Sequence, residues 1–151
     1  MSDALQALID KEQVLEVVNR LFVSTDRRDW AAVRSCLADP VVLDMSSMTG
    51  GEPMSMTPQQ VADGWEQGLR SLDAIHHQTG NATATVDGDH AMAFCYGTAT
   101  HYRKTASGRN VLTFVGSYGI ELARRHGVWK ITLFRFNLKY IDGNLDLEKD
   151  G

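Results

Sequence analysis

Apolar residues recur at helical spacing through the first part of the chain. Leu5, Leu8, Ile9, Val14, Leu15, Val18, Leu21, Phe22 and Thr25 line one face of a predicted helix of about six turns. Ser2 or Asp3 stands where an N-cap is needed. A second helix is predicted from the N-cap candidate Asp29 through Trp30, Val33 and Leu37. Asp39-Pro40 should end it, because a residue before proline avoids the helical region. Val41-Val42-Leu43-Asp44-Met45 then reads as a short strand. Residues 46–57 read as a loop with Gly50, Gly51 and Pro53; its Met48, Met54 and Met56 form either a deformable apolar cover or side chains tucked under a surface loop. Thr57-Pro58-Gln59-Gln60 opens a third helix with proline at its first position, and Val61, Trp65, Leu69 and Leu72 form its stripe.

From Ile75 the pattern changes to strand. Residues 75–86, 90–103, 111–124 and 128–140 are four long strands, separated by Asp87-Gly88-Asp89, a polar turn with Gly108, and His126-Gly127. Residues 142–151 are polar and acidic and are expected to be loosely held. The order α-α-β-α-β-β-β-β predicts one α+β domain over residues 1–151, with helices on one face of a curved antiparallel sheet.

Composition narrows the function. A chain of 151 residues can bury about two-thirds of its unfolded surface and can enclose a pocket. A net charge of −4 argues against a nucleic-acid partner. The densest basic stretch, Arg124-Arg125-His126, reads as a solvated hairpin end. No apolar run is long enough to span a membrane, and residues 1–4 lack the features of a secretory leader. Cys36 and Cys95 form no disulfide framework and read as small buried apolar residues, so a cytoplasmic location is expected.

The chemistry centres on Asp26, at the end of the first helix, and His77, early in the first long strand. Histidine carries protons near neutral pH, with a free pKa of about 6.5. A carboxylate on one ring nitrogen fixes the tautomer and leaves the other to accept a proton. His76 must point to the opposite sheet face. With no HExxH or CxxC motif, no metal site is expected.

His101 depends on register. A three-residue loop at 87–89 pairs His77 with Ala99 and puts His101 diagonally on the same face. A two-residue Asp87-Gly88 loop pairs His77 with Thr98 and puts Tyr96 there instead. Tyr118, with Gly116 and Gly119 leaving space beside its ring, is either a core aromatic or a group that polarises substrate. Arg135 is either an outer-face charge or an anion donor in a cavity. Trp30, Trp65 and Trp129 read as core.

The first-helix end "STDRRDW", the "HHQTGNATATVDGDHA" hairpin, "GSYGIELARRHGVWKI" and the closing strand, in this order over roughly residues 5–140, resemble the SnoaL-like branch of the NTF2-like superfamily. The resemblance implies a cone: a bent antiparallel or mixed sheet wrapped around three helices, enclosing a deep apolar cavity. Its enzymes include polyketide cyclases, scytalone dehydratase, a hexachlorocyclohexane dehydrochlorinase and ketosteroid isomerase-like proteins. Asp26 and His77 match their acid–histidine pair, His101 a second histidine of the dehydratase, and Tyr118 an aromatic cavity position. Leu21, Met45, Trp65, Tyr96, Phe134 and Arg135 are the expected substrate-contacting positions.

Two departures stand out. Leu21 occupies a place where several relatives carry a polar side chain. Phe134 stands where relatives often have an arginine, which here is one residue on, at Arg135. The expected activity is cofactor-free lyase or isomerase chemistry on a small, mostly apolar or cyclic molecule. The alternative is a non-catalytic binding or dimerisation module. A homodimer through the sheet face, including residues 111–115, is expected in either case.

Overall fold

A computed structural model describes residues 2–149. Helix α1 (Asp3–Asp26) starts at Ser2, whose hydroxyl accepts the Leu5 amide at 3.2 Å. Its buried face runs through Val14, Val18, Leu21 and Phe22. The first turns reach past the core, and Leu8, expected inside, is 64% exposed.

Asp29 caps α2 (Trp30–Cys36) by accepting the Ala32 amide at 3.1 Å. Strand β1 (Leu37–Asp44) follows at once and begins before Pro40, across a cis Asp39–Pro40 bond, rather than after it. Leu37 is already paired with Ile131, so sheet pairing overrides the helical reading of Leu37.

Residues 46–57 are more ordered than a plain loop. They hold a helical turn, α3 (Ser46–Thr49), and an edge strand, β2 (Met54–Met56), antiparallel to β1. Ser47 anchors the segment: its hydroxyl donates to the Phe136 carbonyl at 2.6 Å and accepts the Leu138 amide at 2.9 Å. Helix α4 (Pro58–Leu69) has the reciprocal Thr57–Gln60 capping box. It ends before Leu72, which packs instead with Ile75, Leu112 and Leu147.

Four long strands follow: β3 (Ala74–Asp87), β4 (His90–Tyr102), β5 (Val111–Arg125) and β6 (Val128–Gly143). The sheet order is β2-β1-β6-β5-β4-β3, with only β1 and β6 parallel, so the sheet is mixed and open. Irregularities in the β3–β4 and β5–β6 ladders bend the long strands. On the inner face β4 presents Ala91, Ala93, Cys95 and Ala99, all buried and small. That leaves room for α1 and for the aromatic rings of β5 and β6.

Of the tail expected to be loosely held, residues 142–149 are described and residues 150 and 151 lie outside the described residues. Leu147 is 0% exposed, Asn144 is buried, and the Arg103 guanidinium donates to the Leu147 and Glu148 carbonyls at 3.4 Å. Among the described residues, no helix is long and apolar enough to cross a membrane.

Candidate active site

The "STDRRDW" stretch is a joint in which most residues have a partner. Thr25 donates its hydroxyl to the Leu21 carbonyl at 2.7 Å, and Asp26 is the last residue of α1. Arg28 takes a left-handed backbone (φ 57°) and donates to the Leu69 and Leu72 carbonyls at 2.9 and 2.6 Å. It thereby ties the end of α4 to the end of α1, a role the sequence pattern did not signal.

With α1 held there, Asp26 reaches β3. One carboxylate oxygen, Oδ1, lies 2.6 Å from His77 Nδ1, and Oδ2 accepts the His77 amide at 2.8 Å. The carboxylate thus grips both the ring and the backbone of the same residue. Both side chains are mostly buried. With Nδ1–H donated to Asp26, Nε2 is the ring nitrogen left for other chemistry.

The register of β3 on β4 places the second histidine. The hairpin turn is the two-residue Gly88-Asp89, with Asp87 paired to His90. Neither expected loop is present, yet His77 pairs with Ala99 as the longer loop required. A bulge between Gly80 and Thr83, where Asn81 adopts φ 55°, supplies the extra residue. His101 therefore shares the inner face with His77 and is 9% exposed.

Tyr96 does not belong to the site. It is 45% exposed on the opposite face, with the Lys139 ammonium 4.2 Å from its ring centre. Arg135 is the other correction. Its Nε donates to Asp44 Oδ2 at 2.8 Å outside the cavity, while its neighbour Phe134 faces in, as strand alternation requires. Hydrogen bonds from Arg135 and Ser46 hold the Asp44 carboxyl down to about 2. His76 is exposed on the outer face.

The remaining expected residues meet around one cavity of about 250 Å³: Leu21, Met45, Trp65, His77, His101, Tyr118 and Phe134 all line it. Leu21 is fully buried and contributes apolar wall. The Tyr118 ring is wedged between Phe22, at 4.7 Å between centroids, and Phe136, at 4.9 Å. Burial raises the Tyr118 hydroxyl's pKa above its usual value, so the phenol keeps its proton. Burial likewise pushes the Cys95 thiol up to about 11, which leaves it an inert core residue.

Other lining residues were not read from the sequence: Phe22, Phe136, Gly64, Gly68 and Glu148. The α1 periodicity already pointed Phe22 inward. Glu148 had no local signal, because only the docked tail brings it to the cavity. Among the described residues, no group of three His, Cys, Asp or Glu side chains is placed to hold a metal ion.

Comparison with known proteins agrees with this architecture. No curated protein matches the chain in sequence. Among solved structures, the Kfla4162 protein from Kribbella flavida superposes with a TM-score of 0.88 at 22% identity, over 97% of this chain and 99% of its own. Hexachlorocyclohexane dehydrochlorinase LinA-type3 from Novosphingobium barchaimii LL02 gives 0.80 at 16% identity, over 95% of each chain. A scytalone dehydratase-like protein from Novosphingobium aromaticivorans gives 0.78 at 12% identity, over 91% of this chain and 89% of its own. At these identities the likenesses establish the NTF2-like cone fold and not an activity. A family model described as the SnoaL-like domain matches residues 6–135, and the chain belongs to that family.

Proposed function

We propose that the protein is a cofactor-independent lyase or isomerase acting on a small, uncharged, mostly apolar cyclic molecule. The observation that carries this reading is the Asp26–His77 pair at the wall of an aromatic-lined cavity. Asp26 holds Nδ1–H, so a neutral His77 offers the Nε2 lone pair to a substrate C–H. The C–H electron pair then forms a double bond, and either a neighbouring group leaves with its own pair or a proton returns at another carbon. Tyr118 lines the cavity and keeps its proton, and in this reading it donates to developing negative charge. No arginine or lysine lines the cavity among the described residues, which favours a ligand without an anionic group.

The test is a panel of cyclic compounds with a weakly acidic C–H beside a leaving group or carbonyl, incubated in deuterated water and followed by mass spectrometry. Elimination or deuterium exchange should fall about a hundred- to ten-thousand-fold in His77→Gln, with a loss in Asp26→Asn as well. Equal rates in wild type and His77→Gln would overturn the assignment.

The fully apolar Leu21 and the outer sheet face favour a second reading, a binding module that dimerises. Met92, Phe94 and Tyr96 form an exposed apolar row on β4, and Phe94 and Tyr96 meet edge to face at 5.4 Å. A homodimer through this face is expected to dissociate in Phe94→Glu. Sedimentation showing wild type as a monomer at all concentrations would sink that expectation.

A further inference from the structure

His101 lines the cavity, and the proposed reaction leaves it without a defined task. Its ring stacks obliquely on Phe114 at 5.0 Å, and its Nδ1 lies 3.1 Å from Glu148 Oε1. Glu148 belongs to the segment after β6. That segment is fastened by buried Leu147, by Arg103, and by the Ser71 hydroxyl donating to the Glu148 carbonyl at 3.4 Å. The arrangement repeats the Asp26–His77 pair: an imidazole lining the cavity, with Nδ1 against a carboxylate. His101 follows Ala99, the partner of His77, by two residues, so the two histidines are diagonal neighbours on one face, about 7–8 Å apart at the backbone.

We infer that Glu148 is a positioning residue: it takes the Nδ1 proton of His101 in a hydrogen bond and so presents Nε2 to the cavity as an acceptor for a substrate O–H or N–H. The inference rests on the proposed function for its catalytic meaning, and on geometry alone for the histidine's state. Burial disfavours the charged imidazole, and the charge of His77 opposes it further, while Glu148 and Asp26 favour it. Burial is the largest of these effects, so His101 works as a neutral group whose orientation matters more than its charge. Arg103 contributes by holding the backbone of the tail. The site then has one base, His77, one donor, Tyr118, and one oriented acceptor, His101. A substrate that fits carries a hydrogen-bond donor close to its reactive C–H.

The experiment is nitrogen-detected NMR of the histidine rings in the ligand-free protein, for wild type and Glu148→Gln. In wild type the neutral His101 ring is expected to carry its proton on Nδ1. In Glu148→Gln its titration should move down by about one pH unit, as expected for loss of a nearby opposite charge. The His77 ring should keep its proton on Nδ1 against Asp26, which reports that the fold persists. A wild-type His101 protonated on Nε2, or identical titration in both proteins, overturns the inference. Because no substrate is used, this outcome is separate from that of the His77→Gln turnover assay. If turnover survives in His77→Gln while the His101 signature moves as expected, the proposed function fails and the positioning of His101 stands. On an active substrate, Glu148→Gln should lower kcat by roughly tenfold or more through misorientation.

Discussion

Gly97 shapes the cavity through the side chain it lacks. A Cβ built there would sit 2.1 Å from Tyr118 Cε2 and 2.8 Å from Cδ2. The ring has little freedom to retreat, since Phe22, Phe134 and Phe136 surround it at 4.7, 5.4 and 4.9 Å. Gly97→Ala should therefore cost about 1–3 kcal/mol of stability by overpacking, read as a lower urea midpoint. An unchanged midpoint would mean that the ring swings aside freely. The sequence drew attention to Gly116 and Gly119, which flank Tyr118 along its own strand. Neither makes room for the ring: a Cβ at Gly119 meets nothing, and one at Gly116 would strike the Asn137 carbonyl at 2.1 Å. The space comes from across the strand, where Gly97 is a diagonal neighbour, because Tyr118 pairs with Cys95. A cross-strand neighbour has no signature in adjacent residues.

At the level of elements, α4 contains Gly64 and Gly68, one turn apart, both at the cavity wall. A Cβ at either position meets nothing within 4 Å. Glycine in a helix costs up to about 1 kcal/mol relative to alanine, so Gly64→Ala and Gly68→Ala should each raise the urea midpoint. The same methyl groups should narrow the cavity and weaken ligand binding, measured by titration calorimetry once a ligand is in hand. Unweakened binding in both variants would remove these glycines from the path of the ligand. The β3–β4 hairpin shows where element-level reading stops. Strand existence and alternation were legible, and His76 was correctly sent outward. Whether His101 or Tyr96 joined His77 turned on one extra residue, and that residue lies in a bulge at Asn81 rather than in the turn. Turn chemistry is local and leaves a sequence mark, whereas a mid-strand bulge depends on both strands.

For the whole molecule, pH reports on the buried polar groups. His101 has its pKa lowered in the folded state, first by burial. Below the ordinary histidine value the unfolded chain binds more protons than the folded one. The stability from this group is therefore fully present above about pH 6.5 and is lost as pH falls below it. Urea unfolding between about pH 7.5 and 5 should show this decline in wild type and a flatter profile in His101→Gln; parallel profiles would show that His101 does not carry it. Asp44 acts at lower pH: its carboxyl is held down to about 2, so its contribution is present above 3.8 and is lost only as pH drops towards 2.

These effects separate two kinds of information in the chain. Periodicity, caps and turn residues specify α1, α4, the four long strands and the acid at a helix end, because each depends on neighbours a few residues away. The same local reading misjudged Leu37 and left the face of Arg135 open, because their states are set by β6 and by Asp44, and it gave no sign of the groove that buries Leu147. The pairing of Asp26 with His77 spans 51 residues, and that of His101 with Glu148 spans 47. Contacts at such separations exist only after the sheet has bent, the bulge has set the register and α1 has docked. The residues capable of the chemistry are written along the chain, and the fold chooses which of them face one another.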